Sequence, residues 1–574
     1  MIGKKTVAVI CVLVAIPAFL FAAGAQDTAS AEPAMEGPQY GGTITSFMGL
    51  YASEPPNPDV AIGNALACMY CAPIQQKPVI GDFEKYGFEG TGEWAFALKA
   101  YVPERYQKGV LLDSWETTYE KLTWHVKDGI YWAPNESQSA WMESRELTAD
   151  DVVQDIKVFW ESPWGSRFEG LLKDVYTTDE NTIVMEYDNF SHNLQYYLSY
   201  EERAVVSPPE MRDNGPDKWE NQVGTGAWQF GEYVPGQYMK YVKNPDYRGT
   251  WTEGGKEYQL PFADTLMMTM TQDESTKIAA LRTGKFDLYF SVPVSQWNSL
   301  AKTNPDLEKN IYQDNIISVA MRQDKPPFDN LEVRRALMIG TDLSAFQTMH
   351  HAENHAKHFY PTLPDNPAVS YSYEELPAEG KELYDYDPEK AKRMLAEAGY
   401  PDGFETEYWV HTREVALLDD ANLLQDQWSK IGVDLKIKSM DYATHRAAIY
   451  QKEYPAVYNS GSEGGNPMGA ILNYGPKDGF LNHDFFTNPR VEQLAGQIAR
   501  ELDKAEMNKL IKEAGLEMFL NVRVIPLYLP PKANYWWPWL KNYHGEVSLQ
   551  DGHPGSLFQF LWIDQNMKED MGFK

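Results

Sequence analysis

The sequence predicts a mixed α/β protein built from more than one compact unit. Three observations carry this. Strand and helix signals alternate along most of the chain, no segment recurs at a fixed period, and 574 residues exceed what one ordinary core accommodates. Composition agrees: 43% apolar and 23% charged residues lie close to globular averages, so there is material for sizeable cores. The 51 basic and 82 acidic residues give a net charge of -31. A field of that sign repels nucleic acid and anionic headgroups and argues against either as a partner.

The elements follow in chain order. Lys4 and Lys5 precede an uncharged apolar run, Val7 to Ala22, and the small residues Ala23-Gly24-Ala25, which predicts an export signal peptide over 1–25. The run is short for a membrane span. Cys11 follows Ile10, where a lipoprotein signal takes a small residue, so no lipid anchor is expected. Residues 26–39 are small, polar and Pro-containing and read as a disordered leader, with order beginning near Gly41-Gly42-Thr43. Cys68 and Cys71 are spaced C-x-x-C, but no further Cys or His stands nearby for zinc and no thioredoxin-like setting surrounds them. A local disulfide is the expectation, two packed thiols the alternative.

Leu122 to Val126 alternates apolar and polar residues and ends at the turn Asp128-Gly129. Thr148 followed by Asp150 and Asp151 predicts a capped helix with Val152, Val153, Ile156 and Phe159 on its face. Further helices are predicted from Asp273 to Leu281, from the cap Asp387 through Ala398, and from Leu423 to Ile431, stopped by Gly432 ahead of a strand over Val433 to Ile437. Glu492 to Leu520 holds one long helical periodicity.

Several of these segments, taken in order, resemble the family 5 extracellular solute-binding proteins, the peptide and nickel class that serves ABC importers. The resemblance rests on Gly41-Gly42-Thr43, Leu112-Asp113-Ser114-Trp115-Glu116, Leu122-Thr123-Trp124 with Lys127-Asp128-Gly129, and Leu147-Thr148-Ala149-Asp150-Asp151-Val152. It continues through Gly224-Thr225-Gly226, Asn244-Pro245-Asp246-Tyr247, Pro327-Phe328-Asp329 to Leu337, and Tyr386-Asp387-Pro388 to Gly399. It spans residues 41 to roughly 530. Any one motif is weakly specific; their order behind an export signal is what carries the assignment.

The resemblance implies a type II periplasmic-binding-protein-like fold of two lobes with an inserted subdomain and hinge strands. Lobe 1 would comprise 40–75, 216–311 and 529–574, the inserted subdomain 76–215, and lobe 2 312–528. It implies an extracytoplasmic monomer that captures a peptide or peptide-like solute and delivers it to the membrane permease subunits of an ABC importer, with neither catalysis nor a cofactor. Gly224, Thr225 and Gly226 are expected at a tight backbone crossing between lobes, acting as a hinge. Arg334 and Arg335 are expected in structural ion pairs.

Peptide binders of this family carry an Asp for the peptide's α-ammonium ahead of a Pro. Here that stretch is Glu463-Gly464-Gly465-Asn466-Pro467, so Glu463 falls on the Asp position, with Asn466 and Tyr458 as companion ligand candidates. The flanking glycines reshape the loop and loosen the peptide assignment. An oligosaccharide ligand stays open, with Tyr196-Tyr197 and Tyr535-Trp536-Trp537 as stacking candidates, although core packing is the simpler reading of both. His351, His355 and His358 would share one face of a continuous helix, a weak metal-binding arrangement, but Pro361 follows closely and the spacing is not that of a zincin, so no metal site is expected. Two other classes remain: a secreted glycoside hydrolase, which needs two opposed carboxylates, and a chemoreceptor-coupled sensor on the same fold. No G-x-S-x-G or H-E-x-x-H motif occurs.

Overall fold

A computed structural model of the chain describes residues 37–573, apart from 48–56, 62–65, 88–93, 99–100, 202, 272, 353–359, 364–365, 413–414, 461–465, 548 and 550–554. The expected signal peptide and all but the last three residues of the expected leader lie outside the described residues. Among the described residues no helix is long and apolar enough to cross a membrane.

Two large sheets organise the fold. The first has seven strands in the order Glu308–Gln313, Pro531–Trp536, Leu288–Val292, Thr43–Phe47, Thr265–Thr269, Tyr238–Lys243 and Trp228–Val234. Thr43–Phe47 runs parallel to Thr265–Thr269 and to Leu288–Val292, and the outer pairings are antiparallel. The second has five strands in the order Val433–Met440, Phe404–His411, Val457–Ser460, Ile317–Met321 and Val524–Tyr528. Its first three strands are mutually parallel and the last two antiparallel. A third, four-stranded antiparallel sheet takes in Leu112–Thr117, Lys121–Val126, Thr182–Tyr187 and Leu172–Thr177.

The helix Ala149–Glu161 covers that third sheet. Thr148 accepts from the Asp151 N–H while the Asp151 carboxylate accepts from the Thr148 N–H, so two donors of the first turn are satisfied reciprocally. Val152, Val153, Ile156 and Phe159 are buried. Asp151 also takes both guanidinium nitrogens of Arg145, which holds its carboxyl below the usual range even though burial pushes the other way.

Burial divides into two apolar clusters. One draws on Ile44 to Leu300 and Ala533 to Ile563, and so spans the seven-stranded and four-stranded layers together. The other draws on Ile316 to Leu529 and surrounds the five-stranded sheet. Trp124, Trp132, Trp228 and Trp539 in the first and Trp428 in the second are wholly buried. Burying a large side chain of this kind stabilises by roughly 2–3 kcal/mol.

Four expectations need correction. Glu492 to Leu520 is two helices, Pro489–Ile498 and Lys504–Leu520, because Asp503 caps a fresh start by accepting from Glu506 N–H. Cys68 and Cys71 are buried thiols on the helix Leu66–Cys71 rather than a disulfide; the Cys71 thiol turns toward the Pro58 carbonyl, 3.6 Å away. Burial, reinforced by Cys68 and Asp59, pushes the Cys71 thiol far above its ordinary value. Among the described residues Arg334 has no carboxylate within ion-pair distance; it donates to the carbonyls of Phe328, Asn521 and Val522, capping the end of Lys504–Leu520, while Arg335 lies 3.5 Å from Glu382.

Gly224-Thr225-Gly226 is the fourth. It does not join the two large sheets. It packs against residues 73–76 inside the first cluster, with Gly226 N–H donating to the Ile74 carbonyl (2.7 Å) and Thr225 Oγ1 to Gln76 Oε1 (3.0 Å). A Cβ on Gly224 or Gly226 would fall 2.0 or 2.5 Å from the Ile74 oxygen, so this is a tight crossing, but one between the four-stranded and seven-stranded layers.

Candidate ligand-binding cleft

Two short segments pass between the large sheets. Glu308–Gln313 of the first continues through 314–316 into Ile317–Met321 of the second, and Val524–Tyr528 returns through 529–530 into Pro531–Trp536. The segments lie side by side, with Asp314 N–H donating to the Pro530 carbonyl at 3.0 Å.

Strand direction fixes which edges they join. Glu308–Gln313 and Leu288–Val292 both pair antiparallel with Pro531–Trp536, so Gln313 ends at the same edge as Phe47, Thr269 and Val292. In the second sheet Ser318 pairs with Ser460, so Ile317–Met321 begins where Phe404–His411, Val433–Met440 and Val457–Ser460 end. The connectors therefore run from the carboxyl edge of one parallel set to the carboxyl edge of the other. In open α/β sheets that edge is where ligands bind, and a cleft between two such edges presents both.

The edges carry polar anchors. Ser291, at a φ of +58°, is held by its N–H to Asn534 Oδ1 (3.0 Å) and by its hydroxyl to Tyr312 (2.8 Å). A non-glycine residue in that conformation stores local strain of the kind found at binding sites. In the second sheet, Asp420 accepts from the Tyr528 hydroxyl (3.0 Å) just before the connector and lies 2.6 Å from His350 Nε2, while the His350 ring stacks on Tyr528 at 4.1 Å. His411, at the end of its strand, meets Tyr442 and His445 edge-on.

Far along the chain from the connectors, the four-stranded unit touches the second unit directly. The His192 N–H donates to the Ala499 carbonyl (2.9 Å), and the Tyr197 hydroxyl donates to Asn473 Oδ1 (3.0 Å). Glu104 lies 3.4 Å from the Lys504 ammonium and 3.8 Å from His192 Nε2, and accepts from the Trp115 indole at 2.8 Å. Lys504 also donates to His192 Nε2. Burial, then the Lys504 charge, pushes the His192 imidazole down to about 4, so the ring is neutral and offers Nε2 as an acceptor. Burial pushes the Glu104 carboxyl up, but Lys504, Trp115 and His192 together hold it below the usual range. Burial outweighs Glu104 in bringing the Lys504 ammonium below its ordinary value.

Of the residues expected to bind ligand, two are among the described residues. Glu463 lies outside the described residues. Asn466 caps the helix Pro467–Leu472, its Oδ1 accepting from Gly469 N–H at 3.0 Å. Tyr458 faces the second core, 4.8 Å from the Tyr454 ring and beside the ion pair Arg523–Asp484 (2.5 Å), whose side chains are both fully buried. His351 is exposed at the end of Leu343–Met349, and His355 and His358 lie outside the described residues. Among the described residues no group of three His, Cys, Asp or Glu side chains is placed to hold a metal. Tyr196, Tyr197, Tyr535, Trp536 and Trp537 are all buried in the first core, which removes them as an exposed stacking surface.

What sequence reasoning missed was the cross-unit cluster and the Asp420 network. Glu104 and Lys504 are 400 residues apart, and no local pattern couples them. Asp503 as a helix cap was the one available signal, since it places Lys504 at the first turn of an exposed helix start.

A family model described as "Bacterial extracellular solute-binding proteins, family 5 Middle" matches residues 107–480. Heme-binding protein A of Haemophilus influenzae is 28% identical over 456 residues, which cover 73% of this chain and 78% of that protein. The glutathione-binding protein GsiB of Escherichia coli is 25% identical over 488 residues, covering 79% of this chain and 89% of that protein. The periplasmic binding protein DppA of Helicobacter pylori, solved in complex with the peptide STSA, superposes with a TM-score of 0.69 at 19% identity, covering 92% of this chain and 99% of that one.

Proposed function

The chain belongs to the bacterial extracellular solute-binding proteins, family 5, and from that premise we propose that it closes around a peptide or peptide-like solute and delivers it to the permease subunits of an ABC importer. The observation that carries this reading is the pair of connectors running between the carboxyl edges of two separately cored sheets. Such a joint lets two rigid bodies swing while the edges that line the cleft stay intact. Closure removes water from both edges, so polar anchors there act at low dielectric and the ligand is held without a bond being made or broken.

The protein acts outside the cytoplasm, exported by the 1–25 signal and functioning as a monomer. Lobe 1 is 40–75, 216–311 and 529–574, the inserted subdomain is 76–215, and lobe 2 is 312–528, with segments 314–316 and 529–530 as the hinge. Glu463 retains the carboxylate role for a ligand ammonium. The relatives named for heme and for glutathione, and the neighbour solved with a peptide, favour a solute bearing carboxylate groups over a neutral sugar.

Small-angle scattering across a panel of di- to pentapeptides, heme and oligosaccharides tests the reading, with native mass spectrometry of whatever copurifies. A smaller radius of gyration on one-to-one binding of a peptide is the expected result. Unchanged scattering across the panel, or release of a converted product, would defeat it.

A further inference from the structure

A cavity of about 350 Å³ opens at the junction of the seven-stranded and four-stranded layers, and none of its lining residues comes from the second unit. That volume is within the range of small-molecule sites. Its floor is a chain of satisfied polar groups. Thr225 Oγ1 donates to Gln76 Oε1 (3.0 Å), Gln76 Nε2 donates to the Tyr247 hydroxyl (3.2 Å), and that hydroxyl donates to Gln559 Oε1 (2.7 Å). A fully connected polar floor is rigid, and its geometry is fixed before any ligand arrives.

Six charged side chains surround it: Glu84, Lys108, Lys127, Asp128, Asp246 and Arg248. Three already have partners. Lys108 lies 2.8 Å from Glu84, and Asp128 accepts from Asn181 Nδ2. Lys127 reaches only a neutral acceptor, the Gly109 carbonyl at 2.8 Å, and Arg248 lies over the Tyr131 ring at 4.4 Å from its centroid. Among the described residues, neither cation has a carboxylate within ion-pair distance. Half-burial of an ammonium without a counter-ion costs stability, and burial indeed holds Lys127 below its ordinary pKa. Stacking on Tyr131 pre-orients the Arg248 guanidinium and leaves its N–H edge for two oxygens of a carboxylate or phosphate. Gly129 keeps the approach open, since even an added Cβ there would come only within 3.8 Å of Arg248 Nη1.

We propose that this cavity is an accessory site for a small oxyanion, a carboxylate or a phosphate, held between Arg248 and Lys127. Bound there it joins the inserted layer, through Lys127 and Tyr131, to the seven-stranded layer, through Arg248 and Tyr247. The site is independent of the cleft and of the solute that the cleft takes.

Isothermal titration calorimetry of the full chain at low ionic strength, with inorganic phosphate and with succinate as probes, tests it. Saturable one-to-one binding of at least one probe is expected, and which probe binds separates the phosphate from the carboxylate source. Arg248 is exposed, so Arg248→Gln is expected to fold normally and to bind the probe about tenfold more weakly. Asp246→Asn removes the opposing charge and is expected to tighten binding about twofold. The same affinity should hold with the cleft occupied or empty. Absence of heat from both probes up to about 10 mM, equal affinity in Arg248→Gln, or weaker binding in Asp246→Asn would each overturn the assignment.

Discussion

Backbone crosses between layers at two places, and the two crossings are built in opposite ways. At 73–76 against 224–226 the chains are pressed together: Gly226 bonds Ile74, Ala133 N–H donates to the Gly224 carbonyl (3.0 Å), and neither glycine has room for a Cβ. One apolar cluster runs through that crossing without interruption. At 314–316 against 529–530 the backbone bond from Asp314 to Pro530 links the strands, and the apolar clusters on either side are separate. The first crossing welds two layers into one body. The second leaves two bodies joined by a thin waist, and only there does rotation leave the cores undisturbed.

If the bodies have separate cores, a defect in one core should unfold that one first. The largest effect is expected from Arg523→Met. It strands Asp484 as an unpaired buried charge in the second core and should destabilise that body by about 3–5 kcal/mol. Urea unfolding followed by hydrogen exchange should show protection lost over Phe404–His411 and Val457–Ser460 while Thr43–Phe47 stays protected. A single transition shifting both regions together would break the comparison.

Gly224→Ala probes the weld. Its Cβ meets the Ile74 carbonyl and the backbone must shift, which should cost about 2–3 kcal/mol. The loss should appear in Trp228–Val234 and Lys121–Val126 together, read by the same exchange experiment, and should spare the second sheet.

Lys504→Met tests whether the cross-unit cluster contributes to closure. It removes a partly exposed cross-unit pair whose worth is about 0.5–1 kcal/mol, so ligand affinity should fall roughly twofold to fivefold with chemical stability of each body nearly unchanged. Calorimetry on the best ligand from the panel checks this; an unchanged affinity would remove the cluster from the closing mechanism.

The smallest and most specific effect is with pH. Burial and Lys504 push His192 in this cross-unit cluster down to about 4 from 6.5, so a form that opens the cluster to water would bind the extra proton first. Closure is therefore fully favoured above about 6.5 and weakens as pH falls from there toward 4. Glu104 is depressed below its free value, so its contribution is present above that value and is lost below it, in the same direction. Affinity should decline on acidification, and His192→Gln should flatten the profile between pH 6.5 and 4.5. A profile identical to the parent's would exclude His192 as the group responsible.

Local elements were read from sequence where a local cause sets them. The helix opened by Thr148 begins at Ala149, the strand after Gly432 begins at Val433, and the helix capped by Asp387 begins at Pro388. Caps and turns act over three or four residues, so the sequence holds the whole cause. The long periodicity of 492–520 misled because a hydrophobic repeat can continue in phase across a break, and only Asp503 marks the restart. Asn466 also caps a helix and Tyr458 lies beside a buried ion pair, local surroundings that the sequence does not display.

The sequence by itself determined the family, the alternating elements and the presence of more than one core, because these rest on composition, short motifs and hydrophobic period. Tertiary structure alone decided which crossing is the weld and which the waist, and which charges face each other between the two bodies. Glu104 finds Lys504, and Gln76 finds Gln559 through Tyr247, over separations of several hundred residues. Pairings of that range depend on how whole layers stack, and no stretch of chain short enough to carry a pattern encodes them.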